Sequence, residues 1–346
     1  VKEEFLPSIL DRKFSCTDEL REIFSLPPRL GGLGIPYISE IADQEYEYSC
    51  KVTKHLKDAI VRNDHQSYED HQSTDKKRAE VTVDREKFHK EKQSIILEQL
   101  QSEVSKLMIK LASEKSASIW LTSLPLEEYG YTLSKQQFTD ALCLRYNLSL
   151  KDCPRVCACG QQNSANHALM CHKGGYVIMR HNWLRDTLAK VMKTAGCKDV
   201  QTEPVLLPTN GTILPTGTIT GDQARLDIAG RSVWNALERT FIDIRVFHAP
   251  APSNASKQIP AMYLSHEQEK KRSYNARVLE VEKGTFTPVV FSTTGGMGNE
   301  AGKLIKKLAQ RIEMTKGQRY SDAVSFMRRR LRFELLKTTC IAIRGD

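Results

Sequence analysis

The sequence predicts a mixed α+β protein: a helical region over 1–150, a small metal-binding window over 151–175, an α-β-β-β-α-β core over 176–295, and a basic helical tail over 296–346. Three observations carry this. Apolar residues recur at helical spacing through most of 1–150. Four cysteines crowd between Cys153 and Cys171. From Tyr176 onward, helical periodicity alternates with short runs of period two. A hydrophobic content of 40% supplies cores for more than one such part within 346 residues.

In chain order, Ser25-Leu-Pro-Pro-Arg-Leu-Gly-Gly-Leu-Gly-Ile-Pro36 is turn-rich punctuation before a helix from about Ile38 to Ile60. Arg62 to Lys92 is dense in charge, with Tyr68, Val81, Val83 and Phe88 as its large apolar residues, so a solvated linker or fraying helix (about 62–92) is expected. Ile95 to Leu111 reads as one amphipathic helix whose stripe (Ile96, Leu97, Leu100, Val104, Leu107, Met108, Leu111) packs a core. In the core, Tyr176 to Ala195 is helical and closed by Gly196. Strands are expected at Val200–Leu207, Arg225–Ala229, Thr240–His248 and Thr287–Ser292, with a Thr/Gly/Pro loop over 208–221 and a helix from Leu264 to Glu282.

Composition narrows the partners. Lys and Arg number 51 against 42 Asp and Glu, a net charge of +9 that favours a polyanion. No run of about 20 apolar residues occurs, so no membrane span is predicted. Val1-Lys2-Glu3-Glu4 has neither an initiator Met nor a signal-peptide core, and the expectation is a piece of a longer protein. Nine cysteines, clustered rather than evenly spread, suit a metal in a reducing, intracellular compartment better than a disulfide framework.

Within the window, Cys157, Cys159, His167 and Cys171 supply three thiolates and an imidazole, a set suited to tetrahedral Zn²⁺. Gly160 lets the backbone turn so that two sulfurs face one ion, and His167 and Cys171 share a helix face. Cys153 and His172 are substitutes for one ligand. Four protein ligands leave no open position, so the ion is expected to be structural.

Asp227 in Leu-Asp-Ile-Ala and Asp243 in Ile-Asp-Ile-Arg lie inside short apolar strands, where a lone carboxylate is costly to bury. Two carboxylates from adjacent strands can share a hard cation such as Mg²⁺ or Mn²⁺. Glu203 is either a further acidic ligand or a structural residue of Thr-Glu-Pro. His181 either contacts a phosphate or caps and packs its helix.

The order of elements, with Leu226-Asp227 and Asp243-Ile244-Arg245, resembles the PD-(D/E)xK restriction-endonuclease superfamily. More narrowly, Cys-x-Cys-Gly…His-Ala-Leu-x-Cys followed by Gly-Gly and Arg180-His181-Asn182 resembles the C-terminal region of non-LTR retrotransposon polyproteins that carry a restriction-like endonuclease. Leu-Pro-Pro-Arg-Leu-Gly-Gly-Leu-Gly and Trp120-Leu-Thr-Ser-Leu-Pro resemble the segment that follows a reverse transcriptase; the Tyr-x-Asp-Asp signature of a polymerase palm is absent. The resemblance implies that Asp227 and Asp243 bind a catalytic metal and that a lysine near the second Asp serves the attacking water. Here the position two after Asp243 is Arg245, which stays protonated and clamps phosphate rather than acting as a base. The resemblance moves the lysine to the next helix, to Lys271 ahead of Lys270, either of which can share a face with Tyr274.

The expected activity is metal-dependent nicking of target DNA for target-primed reverse transcription, in the nucleus. DNA, the element's RNA and an upstream reverse-transcriptase domain are the expected partners. Arg180, His181, Arg245, Tyr274 and the run Arg328-Arg329-Arg330 are the expected nucleic-acid contacts, the last within a basic tail that starts at Lys303. Two other readings are an inactive nucleic-acid-binding module and a degenerate remnant.

Overall fold

A computed structural model of the chain describes residues 1–10, 14–65 and 67–345. Among the described residues there are twelve α-helices and one four-stranded sheet, a mixed α+β architecture. The chain divides into two compact units, Val1–Ser113 and Glu114–Asp346.

The first unit holds α1 (Phe5–Ile9), α2 (Asp18–Ser25), α3 (Ile38–Arg62), α4 (Tyr68–Gln99) and α5 (Glu103–Ala112). The charged stretch expected as a solvated linker or fraying helix is most of α4. Ser67 and Asp70 form a capping box at its start, and its Glu, Lys, Arg and Gln residues are strong helix formers that need no buried face. α4 runs antiparallel to α3, with Lys92 on Glu40 at 2.8 Å, Arg85 Nε on Glu45 at 2.8 Å and Lys51 on Glu80 at 3.4 Å. The single helix expected over 95–111 is broken at Leu100, whose extended backbone ends α4 before Ser102 caps α5. The Gly-rich turn is a packing device. Gly31 sits at φ +92° against Ile109, and Arg21 is buried with its guanidinium on the Ile35 carbonyl at 2.7 Å.

The second unit begins earlier than the expected boundary near residue 150, because α6 (Ile119–Thr122) and α7 (Lys135–Arg145) pack on the last helix, α12 (Tyr320–Arg344). Between them lie α8 (Ala165–Met170), α9 (Tyr176–Thr194), β1 (Lys198–Thr202), β2 (Ile228–Arg231), β3 (Arg239–Phe247), α10 (Ile259–Glu280), β4 (Thr285–Ser292) and α11 (Asn299–Lys316). The sheet order is β1-β2-β3-β4. The first three strands are antiparallel, and β4 is parallel to β3 after the α10 crossover. β1 ends at Thr202, short of the expected Leu207, since Glu203 takes a positive φ of 52° and Pro204 follows.

Alternation sorts the two faces. Ile228, Ile242, Ile244, Val289 and Phe291 enter the large core under α9, α11 and α12. Ala229, Phe241 and Phe286 face the other way and pack with Val278 and Tyr274 of α10. Asp243 and Arg245 share the parity of Phe241, so they lie on the α10 face.

Candidate functional site

Two clusters in the second unit carry chemistry. In the first, Cys157, Cys159, His167 and Cys171 present ligand atoms that all lie within 4.8 Å of one another. The local backbone explains the convergence. Val156 bridges Gln162, Gly160 turns at φ +85°, and the Gly160 amide donates to the Cys157 carbonyl at 2.8 Å. Ser164 caps α8 by accepting from the His167 amide at 3.1 Å, which carries His167 and Cys171 to the same side. Cys157 Sγ to Cys171 Sγ is 3.7 Å, and Cys159 Sγ to His167 Nε2 is 3.2 Å. A tetrahedral ion with Zn–S of about 2.3 Å puts its sulfurs roughly 3.8 Å apart, so the cluster could hold a zinc ion. The Cys159 backbone N–H holds the Cys157 thiol down at about 7, toward the thiolate that a metal needs. Cys153 and His172 stand outside the set; Cys153 packs instead beside Leu169 and Ile343.

The second cluster is on the α10 face of the sheet. Asp243 is 6% exposed, and its Oδ2 is ion-paired with Lys270 Nζ at 2.7 Å. Asp227 Oδ2 accepts from the Ile244 amide at 2.5 Å and contacts His181 Nε2 at 3.1 Å, so its carboxylate is fixed beside the backbone that carries Asp243. His181 Nε2 also lies 3.2 Å from the Ile244 carbonyl. Burial pushes the Asp243 carboxyl up to about 6; Lys270 opposes that rise and the Asp227 charge adds to it. Burial pulls His181 down, but Asp227, Asn182 and the Asp243 charge together offset it and the net shift is upward.

Helix phase decides which lysine arrives. His266 lies 4.7 Å ring to ring from Phe247, Lys270 meets Asp243, and Tyr274 packs near Phe241 and Phe286, so residues four apart on α10 run back along β3. Lys271, the lysine that the sequence favours, falls off this line and pairs with Glu300 at 3.0 Å, so the structure brings Lys270 rather than Lys271 to Asp243. Glu203 is exposed and committed to Arg185 and, at 3.8 Å, to Arg225; among the described residues it joins no carboxylate cluster. Arg245 is exposed on the site's own face, two residues beyond Asp243.

Other expected contacts fare differently. Arg180 is 1% exposed, with Nη2 on the Leu169 carbonyl at 3.2 Å; burial holds it at about 10, and it ties α8 to α9 instead of facing a ligand. Tyr274 is half-buried, with the Lys270 ammonium 5.9 Å from its ring centre. Arg328, Arg329 and Arg330 are half-buried on α12, and Arg330 donates to the Tyr129 carbonyl at 3.3 Å.

Two features had no sequence signal. Arg277 is fully buried and donates to the carbonyls of Leu207, Ile219 and Gly221 at 2.8, 2.9 and 3.0 Å, pinning the 204–224 loop to α10. His248, at the end of β3, contacts Asn166 Oδ1 at 2.8 Å and so ties the sheet to the helix bearing His167. No helix is long and apolar enough to cross a membrane among the described residues. No protein-family model and no curated protein matches the chain.

Proposed function

We propose that the second unit is a divalent-metal-dependent DNA endonuclease of the restriction-like PD-(D/E)xK kind, the nicking module of a non-LTR retrotransposon protein. The observation that carries this reading is the meeting of Asp227, Asp243, Lys270 and His181, drawn from the entry to β2, from β3, and from the helices α10 and α9. Support also comes from the order α9-β1-β2-β3-α10-β4 and from a Cys/His cluster directly before it.

Asp227 and Asp243 would hold Mg²⁺ or Mn²⁺. The donor set fits, since both side chains are hard oxygen ligands and Asp243 is buried beside the Asp227 charge, an arrangement that a cation relieves. Such an ion supplies a Lewis acid and a water of lowered pKa. The protein's own groups do the remainder. Lys270 brings a fixed ammonium to the carboxylates, where negative charge develops on a phosphodiester oxygen. His181 and the Ile244 amide lock Asp227 in one orientation. Arg245, exposed on the same face, is free to clamp a non-reacting phosphate. DNA in the nucleus is the proposed target, with the element's RNA and a reverse-transcriptase domain as partners of the longer protein.

The experiment is nicking of supercoiled plasmid with added Mg²⁺ or Mn²⁺. Asp227→Ala and Asp243→Ala should each reduce nicking to background while circular dichroism stays unchanged; a fully active double variant overturns the reading. An inactive nucleic-acid-binding module is favoured by one observation, the neutralisation of Asp243 by Lys270. It would show metal-independent DNA binding and no nicking at any metal concentration.

A further inference from the structure

Away from the carboxylates, the second unit has a cavity of about 180 Å³ between the start of α11, α12 and the segment before α6. Its wall includes Lys115, Lys303, Lys306 and Arg328, with Glu114 as its one acid. Among the described residues, Lys115, Lys306 and Arg328 have no ion-pair partner, and the Arg328 Nε is buried without a hydrogen-bond acceptor. Like charges brought into one concavity repel, and the cost is relieved when an anion enters. Glu114 does little to relieve it, because burial pushes its carboxyl up to about 7 and the Tyr263 hydroxyl already donates to it at 3.1 Å.

Size and position narrow the ligand. The volume is below the roughly 300–1,000 Å³ of pockets that bury a whole small molecule, so a single anionic group fits better than a metabolite. The cavity is also joined to the carboxylate site. Lys270 pairs with Asp243, its neighbour Lys271 reaches Glu300 at 3.0 Å, and Glu300 meets Lys303 of the cavity wall at 3.3 Å. Consecutive lysines of α10 thus serve the two places from one turn of helix.

We propose that this cavity binds a phosphoryl group, as a second phosphate anchor for a nucleic-acid strand whose cleavable bond lies at Asp227 and Asp243. The assignment to a strand rests on the endonuclease reading; the phosphoryl chemistry does not.

The test uses the full zinc-loaded chain in buffer without added divalent metal, where binding is read independently of nicking. Lys115 and Lys306 are exposed, so Lys115→Gln/Lys306→Gln leaves the core intact. A control pair of equal charge, Lys193→Gln/Lys316→Gln, is also exposed but stands outside the cavity. The probes are an unlabelled-sequence single-stranded oligonucleotide and inorganic phosphate followed by phosphorus NMR. The cavity pair should lose about 10-fold in oligonucleotide affinity relative to the control, with the salt slope falling by roughly 0.7, the value for one phosphate contact on a single strand. Loss of saturable inorganic phosphate binding in the cavity pair, with oligonucleotide affinity unchanged, also supports a phosphoryl site, its source then being free phosphate. Absence of saturable phosphate binding in the unmodified protein, together with no difference between the two pairs, overturns the proposal. A chain that binds in this way yet never nicks refutes the endonuclease reading and leaves the cavity's ligand standing.

Discussion

The Cys/His cluster and the carboxylate site are built on opposite plans. Every ligand of the first falls between Cys157 and Cys171, on one turn and one short helix, so local backbone geometry alone brings the donors together. The second draws His181 from α9, Asp227 from the entry to β2, Asp243 from β3 and Lys270 from α10, and it exists only once the sheet is paired and α10 has settled in one phase. A site of the first kind is set by spacing, a site of the second by packing. They should therefore fail differently when perturbed.

The largest effect is expected at the cysteines. Structural zinc contributes apparent binding energies on the order of 10 kcal/mol in isolated fingers, comparable with the net stability of a whole domain. Cys157→Ser or Cys171→Ser should lose zinc, measured by metal analysis, and lower Tm by at least about 20 °C, at roughly 2–4 °C per kcal/mol. Cys153→Ser and His172→Ala should keep it. A synthetic peptide covering 151–175 should still bind zinc, and its failure to do so would break the contrast between a local and an assembled site.

The next effect separates two adjacent lysines. Lys270→Ala removes the ammonium paired with Asp243 and should lower nicking by about 10²-fold, the order seen when one preorganised donor is lost. Lys271→Ala breaks a half-exposed pair with Glu300 and should change nicking less than about 3-fold. Equal losses in the two variants would mean that helix phase does not select the catalytic lysine.

That choice was beyond the sequence for a physical reason. Asp227 and Asp243 were legible as acids in apolar strands, and the cysteine spacing named its own ligand set. The rotation of α10, by contrast, is fixed by distant partners, Phe247 under His266 at one end and Phe241 near Tyr274 and Val278 at the other. Arg180 was misleading in the same way, since a guanidinium next to His181 suggests a surface contact but the tertiary packing buries it. α4 shows the converse limit. Its charge pattern has no apolar stripe, so hydrophobic periodicity was silent, whereas its capping box and its ion pairs with α3 supply the helix.

The smallest effect tests whether burial alone can imitate a site. Asp243 and Glu114 are both pushed up by desolvation, to about 6 and about 7 from ordinary values of 3.8 and 4.5, but only Asp243 has a second carboxylate and a lysine beside it. For Glu114 the folded state keeps a proton that the unfolded chain releases. Stability from this group is thus fully present below about pH 4.5, declines as pH rises toward 7, and is lost above it. At 1.36 kcal/mol per unit the loss is on the order of 3 kcal/mol. Glu114→Gln keeps an acceptor for the Tyr263 hydroxyl and removes the titration, so urea unfolding across pH 4.5–8 should give a flatter curve and a higher midpoint than the parent at pH 8. A slope that survives Glu114→Gln but vanishes in Asp243→Asn would assign the titration to the carboxylate site, where stability falls as pH rises from 3.8 to about 6. In that case the cost of holding Asp243 ionised beside Asp227 is the strain that a bound divalent cation would relieve, and added Mg²⁺ should restore the lost stability in the parent but not in Asp243→Asn.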